Sequence, residues 1–590
     1  MSTKHFIPDP TALVNTALRS LTLTHPGLSL DTAVKTVYRT PHPSSPFTAQ
    51  VSLVSGGGSG HEPAFAGYVG SGLLAASVAG TIFASPSAEQ IRRCLLARVP
   101  KEKGVCVIVM NYTGDVLNFG MAVEKAKASG VEAEMVIVGD DVGVGRERGG
   151  KVGRRGIAGT VLVLKVAGAL AEKGYSLKDV TRIARLAADN VVSIGASLEH
   201  VHVPGRSTEV EDALGEDEIE VGMGIHNEPG SERIKTDLPG LVKKMLQHML
   251  DQSDSDRAFI NVSKADKTVL LVNNLGGVSV LEMGGITDEV VRQLKGEYGI
   301  EPVRVLAGTF MTSLNGLGFS ISLLKVQDTG LGKGCGMLEL LDAPAEAPGW
   351  SAAIKTGTWD VGHSQDPPEE QEKAADEEQP SNLKFDRGLA KSALTAGLNK
   401  VIAAEPDVTN YDTIVGDGDC GIGLQRGAEA ILKMLEKSKP TDDAVVFVQR
   451  IAQVVEFSMD GTSGAIYAIF LNALAHALRE QSALSPAQLD VEKWAKALQQ
   501  STAALGRYTP ARLGDRTLID ALHPFVGTLA KSGDVHQAAA AAEAGARETK
   551  GMKASLGRTV YVGGEDWQGV PDPGAYGLAQ FLLGLSEGLQ

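Results

Sequence analysis

The sequence predicts an α/β domain in its first half and an all-helical domain in its second half. Short apolar runs typical of buried strands alternate with helical stretches and glycine turns in the first half. An acidic, proline-rich segment interrupts the chain, and the segments beyond it carry the spacing of amphipathic helices. Alternating strands and helices indicate a sheet covered by helices, whereas successive amphipathic helices indicate a bundle.

The first half is predicted to contain two subdomains, at about residues 1–200 and 201–345. Buried strands are predicted for three runs, VCVIVM (105–110), EMVIVG (134–139) and TVLLVNN (268–274). Helices are predicted for AEQIRRCLLARV (88–99) and VTRIARLAADNVV (180–192). The division rests on a further block, rich in glycine and strand-forming residues, that covers about Glu218–Leu341.

An acidic linker is predicted over residues 346–384. Its centre, Asp366–Pro380, is dense in Glu, Asp and Pro, so it cannot bury enough apolar surface to offset the entropy of ordering. The helical domain is predicted over residues 385–590, where segments such as AVVFVQRIAQVVEFSM and GAIYAIFLNALAHALREQ repeat apolar residues at helical spacing.

The composition predicts a cytoplasmic protein that binds neither nucleic acid nor a membrane. The net charge is −15 at pH 7, whereas nucleic-acid binding depends on Lys and Arg that neutralise phosphates. The four cysteines form no CxxC pair, so neither a zinc site nor a disulfide framework is indicated. The N-terminal residues lack the apolar core of a secretory signal, and no apolar run is long enough to span a bilayer.

Two common catalytic motifs are incomplete. Gly145–Lys151 matches a P-loop, but Val152 stands where a serine or threonine would bind magnesium. Ser59 in GGSGH and Ser463 in GTSGA each lack the final glycine of a nucleophile elbow. A basic surface loop is the better interpretation of the first, and a serine hydrolase has little support.

The loop SGGGSGHEPAFAG (55–67) and the motif NYTGD (111–115) are candidate sites. Glycines in the loop let the backbone approach a ligand closely beside His61; a tight turn around a packed histidine is the alternative. Asp115 follows a predicted strand, where ligand-binding residues of α/β sheets gather, and could be a general base. By spacing alone, an Asx-turn or a helix cap is the better interpretation of Asp115.

Three further histidines lie in short, rigid segments. His226 lies in GIHNEPG (224–230), and an imidazole there can be a ligand, a base or a nucleophile. Spacing alone does not decide between these roles. His200 and His202 in HVHVPG could share one face of an extended segment. No carboxylate or thiolate near them in sequence completes a metal site, so we predict that they are structural.

Asp412, Asp417 and Asp419 in YDTIVGDGDCGIG (411–423) predict a magnesium site. Carboxylates packed together repel unless a hard cation joins them, and Mg²⁺ prefers a few carboxylates plus phosphate oxygens. A calcium-binding EF-hand lacks support because no Glu stands at the twelfth position. Three exposed turn aspartates are the structural alternative.

Other segments of this half fit a nucleotide, although each alone is weak. Ser463 precedes a predicted helix, whose first backbone N–H groups suit phosphate. Arg558 offers a cation, and Pro571–Gly574 offers a rigid turn.

Seven motifs in this order resemble the dihydroxyacetone kinase family, and most of all its single-chain, ATP-dependent eukaryotic members. The resemblance spans nearly the whole chain and points to fungal members of the family. The motifs are SGGGSGHEPAFAG, NYTGD, GIHNEPG, GDGDCG, GTSGA, GDRTLIDAL and PDPGA.

The resemblance implies a substrate domain and a helical-barrel domain that binds Mg-ATP. His226 would form a covalent hemiaminal with the carbonyl carbon of dihydroxyacetone, with glyceraldehyde as a second substrate. His61 and Asp115 would be the other catalytic residues. The implied substrate contacts are Gly57, Gly58, Ser59, Gly60, His61, Met110, Asp115 and His226.

The resemblance also implies the metal ligands and the nucleotide contacts. The metal ligands are Asp412, Asp417 and Asp419. The nucleotide contacts are Cys420, Gly421, Ile422, Gly423, Thr462, Ser463, Arg558, Asp572, Pro573 and Gly574. Because substrate and nucleotide lie in different domains, the domains must meet within one chain or across a homodimer, which the resemblance favours.

Departures from the family pattern leave some details open. Met110 replaces a common lysine, Asp460 replaces a common glycine, and Thr509 and Pro510 stand near a usual double glycine. Two alternatives remain. Some relatives split FAD into a cyclic flavin phosphate, and a protein of this kind could instead sense trioses without catalysis.

Overall fold

The computed structural model describes residues 4–40, 50–206, 213–351, 354, 356–359, 379–482, 487–556, 558–561 and 566–589. The chain divides into two compact units, Met1–Gln365 and Asp366–Gln590. The predicted fold class is confirmed, because the first unit is α/β and the second is a barrel of helices. Nearly all of the predicted linker's centre lies outside the described residues, whereas Ala347, near the linker's start, is buried in the first unit.

The first sheet brings the two earliest candidate motifs together. Its strand order is β1-β2-β4-β3-β5-β6. These strands are β1 (Leu28–Asp31), β2 (Thr36–Arg39), β3 (Ser52–Ser59), β4 (Ala76–Ile82), β5 (Val105–Met110) and β6 (Ala133–Val138). β3 runs parallel to its neighbours β4 and β5, and β5 runs parallel to β6. The carboxyl ends of β3 and β5, which precede the His61 loop and NYTGD, therefore lie side by side.

The second sheet carries the His226 turn. Its strand order is β11-β10-β12-β7-β8-β9, and only β10 and β11 pair in parallel. These strands are β7 (Val191–Ser197), β8 (Ile219–Val221), β9 (Glu232–Ile234), β10 (Thr268–Asn274), β11 (Arg304–Gly308) and β12 (Gly318–Lys325). His226 lies in the turn that joins the antiparallel strands β8 and β9.

Helices cover both sheets of the first unit. They are α1 (Pro10–Thr24), α2 (Ala88–Ala97), α3 (Thr113–Ala128), α4 (Arg146–Gly149), α5 (Gly159–Glu172), α6 (Leu177–Asp189), α7 (Leu238–Leu250), α8 (Val280–Tyr298), α9 (Met337–Leu341) and α10 (Thr356–Trp359). α2 and α3 pack on one face of the first sheet, and α7 and α8 pack on one face of the second.

The helix α5 joins the two sheets into one core. Its residues from Gly159 to Ala171 are all buried, and it contacts β3 of the first sheet as well as β7 and β12 of the second. An apolar surface all round a helix is typical of a helix enclosed by protein. Lys165 is the one charged residue from Gly159 to Ala171: it is fully buried, and its Nζ donates to the carbonyl of Leu340 at 2.9 Å.

The second unit is a closed ring of helices. Over residues 379–482, 487–556, 558–561 and 566–589, it has eight α-helices, each packed against the next, with the last packed against the first. These helices are α11 (Arg387–Val415), α12 (Cys420–Lys437), α13 (Ala444–Ser458), α14 (Gly461–Glu480), α15 (Val491–Leu505), α16 (Ile519–Ser532), α17 (Val535–Glu548) and α18 (Pro573–Glu587). The short strands β13 (Leu383–Lys384) and β14 (Ala487–Gln488) pair beside it.

The helix α14 is the one described helix that is long and apolar enough to cross a membrane, judged by length and composition alone. It packs between α13 and α15 as a member of the ring.

We expect Lys165 to make stability depend on alkaline pH. Burial lowers the pKa of Lys165 to about 8, although the charge of Asp342 acts in the opposite direction, whereas an unfolded lysine has a pKa of about 10.4. Between these values the unfolded chain binds more protons, so rising pH favours the folded state. Calorimetry from about pH 8 to 10 should therefore show the melting temperature of the wild type rising relative to that of Lys165→Met.

The control is Lys173→Met, which changes an exposed lysine at the end of the same helix. If the difference between the wild type and Lys165→Met did not change with pH, the assignment of Lys165 as a destabilised buried cation would be wrong.

Candidate functional site

The His61 loop is built where the two sheets meet. The loop needs glycine at position 60, because Gly60 has φ +103° and a Cβ there would lie 2.8 Å from the Phe83 ring. The backbone N–H of Leu314 donates to the carbonyl of Gly60 at 2.7 Å, and that of Thr312 donates to the carbonyl of His61 at 3.1 Å. A segment between strands β11 and β12 of the second sheet therefore fixes the loop that follows strand β3 of the first sheet.

His61 is fully buried and has a defined tautomer. Its Nδ1 lies 2.9 Å from the carbonyl oxygen of Thr312, which can only accept, so Nδ1 donates and Nε2 carries a lone pair. Burial and the charge of His226 lower the pKa of His61 to about 3, although the hydrogen bond to Thr312 acts in the opposite direction. His61 is therefore a neutral imidazole at physiological pH. Its ring stacks on Phe83 with a centroid distance of 5.2 Å.

His226 meets His61 directly, although the two residues are far apart in sequence. Their Nε2 atoms are 3.0 Å apart, and the rings cross nearly at right angles. The ring of Tyr112 packs edge-on against His226 at a centroid distance of 4.6 Å. On the opposite side of the ring, His226 Nδ1 lies 2.9 Å from Glu228 Oε1.

Asp115 faces the same pocket from the first turn of α3. It is 4% exposed, and its Oδ1 is buried with no hydrogen-bond partner among the residues that the structure describes. Burial raises the pKa of Asp115 to about 6, although a hydrogen bond from Ser85 and the charge of His226 act in the opposite direction. Gly57 borders the carboxylate, because a Cβ at position 57 would lie 3.6 Å from Asp115 Oδ2. We call His61, Asp115 and His226 the histidine pocket.

Four other residues from the sequence analysis have different surroundings. Ser59 Oγ donates to the carbonyl of Gly80 at 3.1 Å. Met110 is 1% exposed and packs in the core that joins the two sheets. His200 and His202 have separate partners, because His200 pairs with Glu220 whereas His202 bonds to His5.

The second unit holds an acidic cluster at the junction of α11 and α12. Ligand oxygens of Asp412, Asp417 and Asp419 all lie within 4.8 Å of one another. Asp412 Oδ2 accepts from the backbone N–H of Cys420 at 3.0 Å, and Asp419 stands at the N-cap of α12 without a side-chain capping bond. We call these three residues the aspartate cluster. The donor set fits a hard divalent cation, which favours carboxylate oxygens.

The beginnings of three helices surround the aspartate cluster. Cys420 to Gly423 form the first turn of α12, and Thr462 and Ser463 lie in the first turn of α14; Cys420 Sγ and Ser463 Oγ are 3.9 Å apart. Asp572 caps α18 by accepting from Ala575 N at 2.7 Å, and Pro573 and Gly574 begin that helix. Burial, together with the charges of Asp520 and Asp412, raises the pKa of Asp572 to about 7, against the charge of Arg516.

The segment that contains Arg558 also reaches this region. Arg558 begins the 3₁₀ turn Arg558–Tyr561, and Thr559 Oγ1 in that turn donates to the carbonyl of Val415 at the end of α11 at 3.1 Å. Helix N-termini present unpaired N–H groups and a positive dipole end, both of which favour anions such as phosphate.

Two family domains match the chain. Residues 19–349 match the Dak1 domain, and residues 414–587 match the DAK2 domain. The dihydroxyacetone kinase of Pichia angusta is 44% identical over 91% of this chain and 91% of its own. The human triokinase/FMN cyclase is 35% identical over the full length of both chains.

A solved structure matches both halves of the chain. The crystal structure of the C. freundii dihydroxyacetone kinase in complex with AMP-PNP and Mg²⁺ is 30% identical, with a TM-score of 0.61, and the match covers 99% of this chain and 100% of that one. Both halves therefore have the organisation of a two-domain kinase. The chain belongs to the dihydroxyacetone kinase family.

We expect Asp417→Ala to weaken divalent cation binding. Because the variant removes one of three converging carboxylates, affinity should fall by at least about 10-fold, in line with the effects of disturbing the surroundings of metal ligands. Binding of Mn²⁺ to the full chain can be followed by electron paramagnetic resonance.

The control is Asp442→Ala, which removes an exposed carboxylate that pairs with Lys384 in the same unit. Equal Mn²⁺ affinity in the Asp417→Ala variant and the wild type would contradict the assignment of the aspartate cluster.

Proposed function

We propose that the protein transfers the γ-phosphoryl group of ATP to dihydroxyacetone, and also to glyceraldehyde, with the substrate held as a covalent hemiaminal on His226. The observation that carries this proposal is the histidine pocket, in which His226 Nε2 lies 3.0 Å from a neutral His61 beside a buried carboxylate. A triose offers few atoms for non-covalent binding. A covalent bond positions it and selects carbonyl compounds over polyols.

In the addition step, Nε2 of His226 bonds to the carbonyl carbon and the C=O π bond breaks. The carbonyl oxygen takes a proton and becomes a hydroxyl. His61 Nε2 carries a lone pair next to His226 Nε2, so it can accept the proton released from that nitrogen and pass it to the oxygen. No proton is gained or lost overall.

Asp115 serves as the general base in the transfer step. A carboxylate with a pKa near 6 is ionised at neutral pH and still basic enough to accept a proton from the attacking hydroxyl. Its buried Oδ1, without a partner within the described structure, can take the hydrogen bond of that hydroxyl.

The aspartate cluster and the helix N-termini around it form the nucleotide site. Asp412, Asp417 and Asp419 would hold the metal. Backbone N–H groups at Gly421 and Ile422 and at Thr462–Ser463 would bind phosphate oxygens, with Gly423, Arg558 and Asp572–Gly574 as further nucleotide contacts. Bound Mg²⁺ would neutralise the phosphate charge during transfer.

We also infer a cytoplasmic homodimer that binds neither nucleic acid nor a membrane. The inference follows from the family resemblance and from a net charge of −15.

A second candidate activity uses the same nucleotide site. The human relative named triokinase/FMN cyclase favours an additional FAD-splitting lyase activity, which an assay with FAD and Mn²⁺ can detect. A sensor without catalysis has less support, because His226 and all three aspartates are present.

We expect intact-protein mass spectrometry to show one dihydroxyacetone bound covalently to the wild type and none to His226→Ala. His226 Nε2 is partly exposed and lies 3.0 Å from His61 Nε2, which can accept its proton. The control is His200→Ala, which removes a histidine paired with Glu220 and should leave the adduct unchanged. The hemiaminal proposal fails if His226→Ala gains the same adduct or if the wild type gains none.

We expect Asp115 to set the acidic limb of the pH profile. The base must be ionised, and its pKa is raised to about 6, so kcat should fall as the pH drops below about 6. Asp115→Asn should lower kcat by roughly 10²–10⁴-fold while the adduct on His226 still forms.

Asp189→Asn, an exposed change at the end of α6, is the control and should keep the wild-type profile. An acidic limb that is unchanged in an active Asp115→Asn enzyme would show that another group is the base.

A further inference from the structure

We propose that Glu228 is a positioning residue for this reaction: its carboxylate fixes the His226 ring and balances the positive charge that the ring carries in the hemiaminal. The inference rests on the proposed function, because it concerns how His226 holds the carbonyl substrate. It assigns a role to a residue that does not touch the substrate and acts through the imidazole.

The carboxylate of Glu228 makes two hydrogen bonds to His226. Oε1 lies 2.9 Å from the ring Nδ1, and Oε2 accepts from the backbone N–H of His226 at 3.0 Å. The backbone N–H of Gly224 also donates to the carbonyl of Glu228 at 2.9 Å, which closes the turn around the histidine. Two bonds from one planar group fix the direction of the ring, so that Nε2 is aimed at the pocket.

A partly buried cation, Arg155, supports Glu228 from the other side. Arg155 NH1 lies 3.9 Å from Glu228 Oε2, and Arg155 is itself held by Asp141 at 2.7 Å and by the carbonyl of Gly222 at 2.7 Å. Position 224 must be glycine for this contact, because a Cβ there would collide with both Glu228 Oε2 and Arg155 NH1. The turn sequence therefore brings a carboxylate and a guanidinium together behind the histidine.

The charge of Glu228 is well defined. Burial raises the pKa of its carboxyl, but the hydrogen bonds and charge of His226 and the charge of Arg155 outweigh burial and lower that pKa to about 2. Glu228 is therefore a carboxylate throughout the working pH range and can only accept hydrogen bonds.

The hydrogen bonds around His226 then leave one arrangement of protons. His61 Nδ1 donates to the carbonyl of Thr312, so His61 Nε2 must accept from His226 Nε2. His226 Nδ1 faces a carboxylate and donates to it. A proton therefore bridges the two Nε2 atoms, and His226 Nε2 has a lone pair for the carbonyl carbon once that proton has moved to His61.

This arrangement explains what Glu228 does during addition. With the bridging proton on His61, the lone pair of His226 Nε2 bonds to the carbonyl carbon, the C=O π bond breaks, and His61 passes the proton to the former carbonyl oxygen. The Nδ1 proton stays, so the substituted ring is a cation, and Glu228 Oε1 lies 2.9 Å from the protonated nitrogen. The attacking ring is neutral and the substituted ring is a cation, so the hydrogen bond of the ring to the Glu228 carboxylate becomes stronger on addition.

The test compares Glu228→Gln with Glu228→Asp and with the control Glu232→Gln. Glu232 lies four residues further on and pairs with Lys244 and His248 outside the histidine pocket. We expect Glu228→Gln to raise both the dihydroxyacetone concentration for half-maximal adduct formation and the KM by roughly 10- to 100-fold, the range for a charged hydrogen bond, with a smaller change in kcat. Glu228→Asp should recover part of the loss, and Glu232→Gln should behave as the wild type.

A spectroscopic readout separates this role from a general loss of structure. In the full chain labelled with ¹⁵N-histidine, the Nδ1 signal of the His226 adduct at pH 7.5 should have the shift of a protonated nitrogen in the wild type. In the Glu228→Gln variant, the shift of the Nδ1 signal should move towards the shift of an unprotonated nitrogen. An unchanged Nδ1 signal, or equal losses in the Gln and Asp variants, would overturn the proposal.

The same measurements keep the two proposals apart. If the wild type forms the adduct and Glu228→Gln forms it equally well, the role of Glu228 is wrong and the hemiaminal stands. If the wild type forms no adduct, the hemiaminal itself fails, and the role of Glu228 fails with it.

Discussion

The hydrogen bonds between the His61 loop and the Thr312–Leu314 segment are the constraint on which the histidine pocket depends. His61 follows strand β3 of the first sheet, whereas Thr312 follows strand β11 of the second sheet. The same contacts that lock the loop also fix the tautomer of His61, and the tautomer determines which way protons can move between the two histidines. The buried helix α5 packs against both sheets and so helps to hold them in the relative position that this contact requires. Packing and proton transfer are thus linked in this unit.

The two candidate sites use opposite electrostatic surroundings. The histidine pocket is built on burial: His61 is fully buried and neutral, and Asp115 is destabilised as an anion. The aspartate cluster instead places Asp417 and Asp419 at exposed positions, where water can hydrate the ion and the carboxylates. This difference suits the chemistry, because Mg²⁺ keeps several waters whereas carbonyl addition benefits from a dry pocket.

Local sequence patterns predicted the features that depend on residues close together in the chain. Apolar periodicity was enough for the α/β and helical halves, and the spacing of Asp412, Asp417 and Asp419 was enough to expect that they converge. The partnership of His61 with Thr312 could not be predicted, because it joins residues 251 positions apart. Glu228 lay within the GIHNEPG motif, but only the folded turn shows that its carboxylate returns to the ring of His226.

The closed ring of the second unit has a consequence for how the chain order relates to the structure. The first helix of the ring, α11, packs against the last, α18, just as each helix packs against its successor. The packing of the ring does not depend on which helix comes first in the chain, since a cut in any surface connection would leave the same cycle of contacts. Removing a whole helix at either end would instead open the cycle and expose the apolar flanks of two neighbours. Each helix of the unit therefore helps to hold its two neighbouring helices in place.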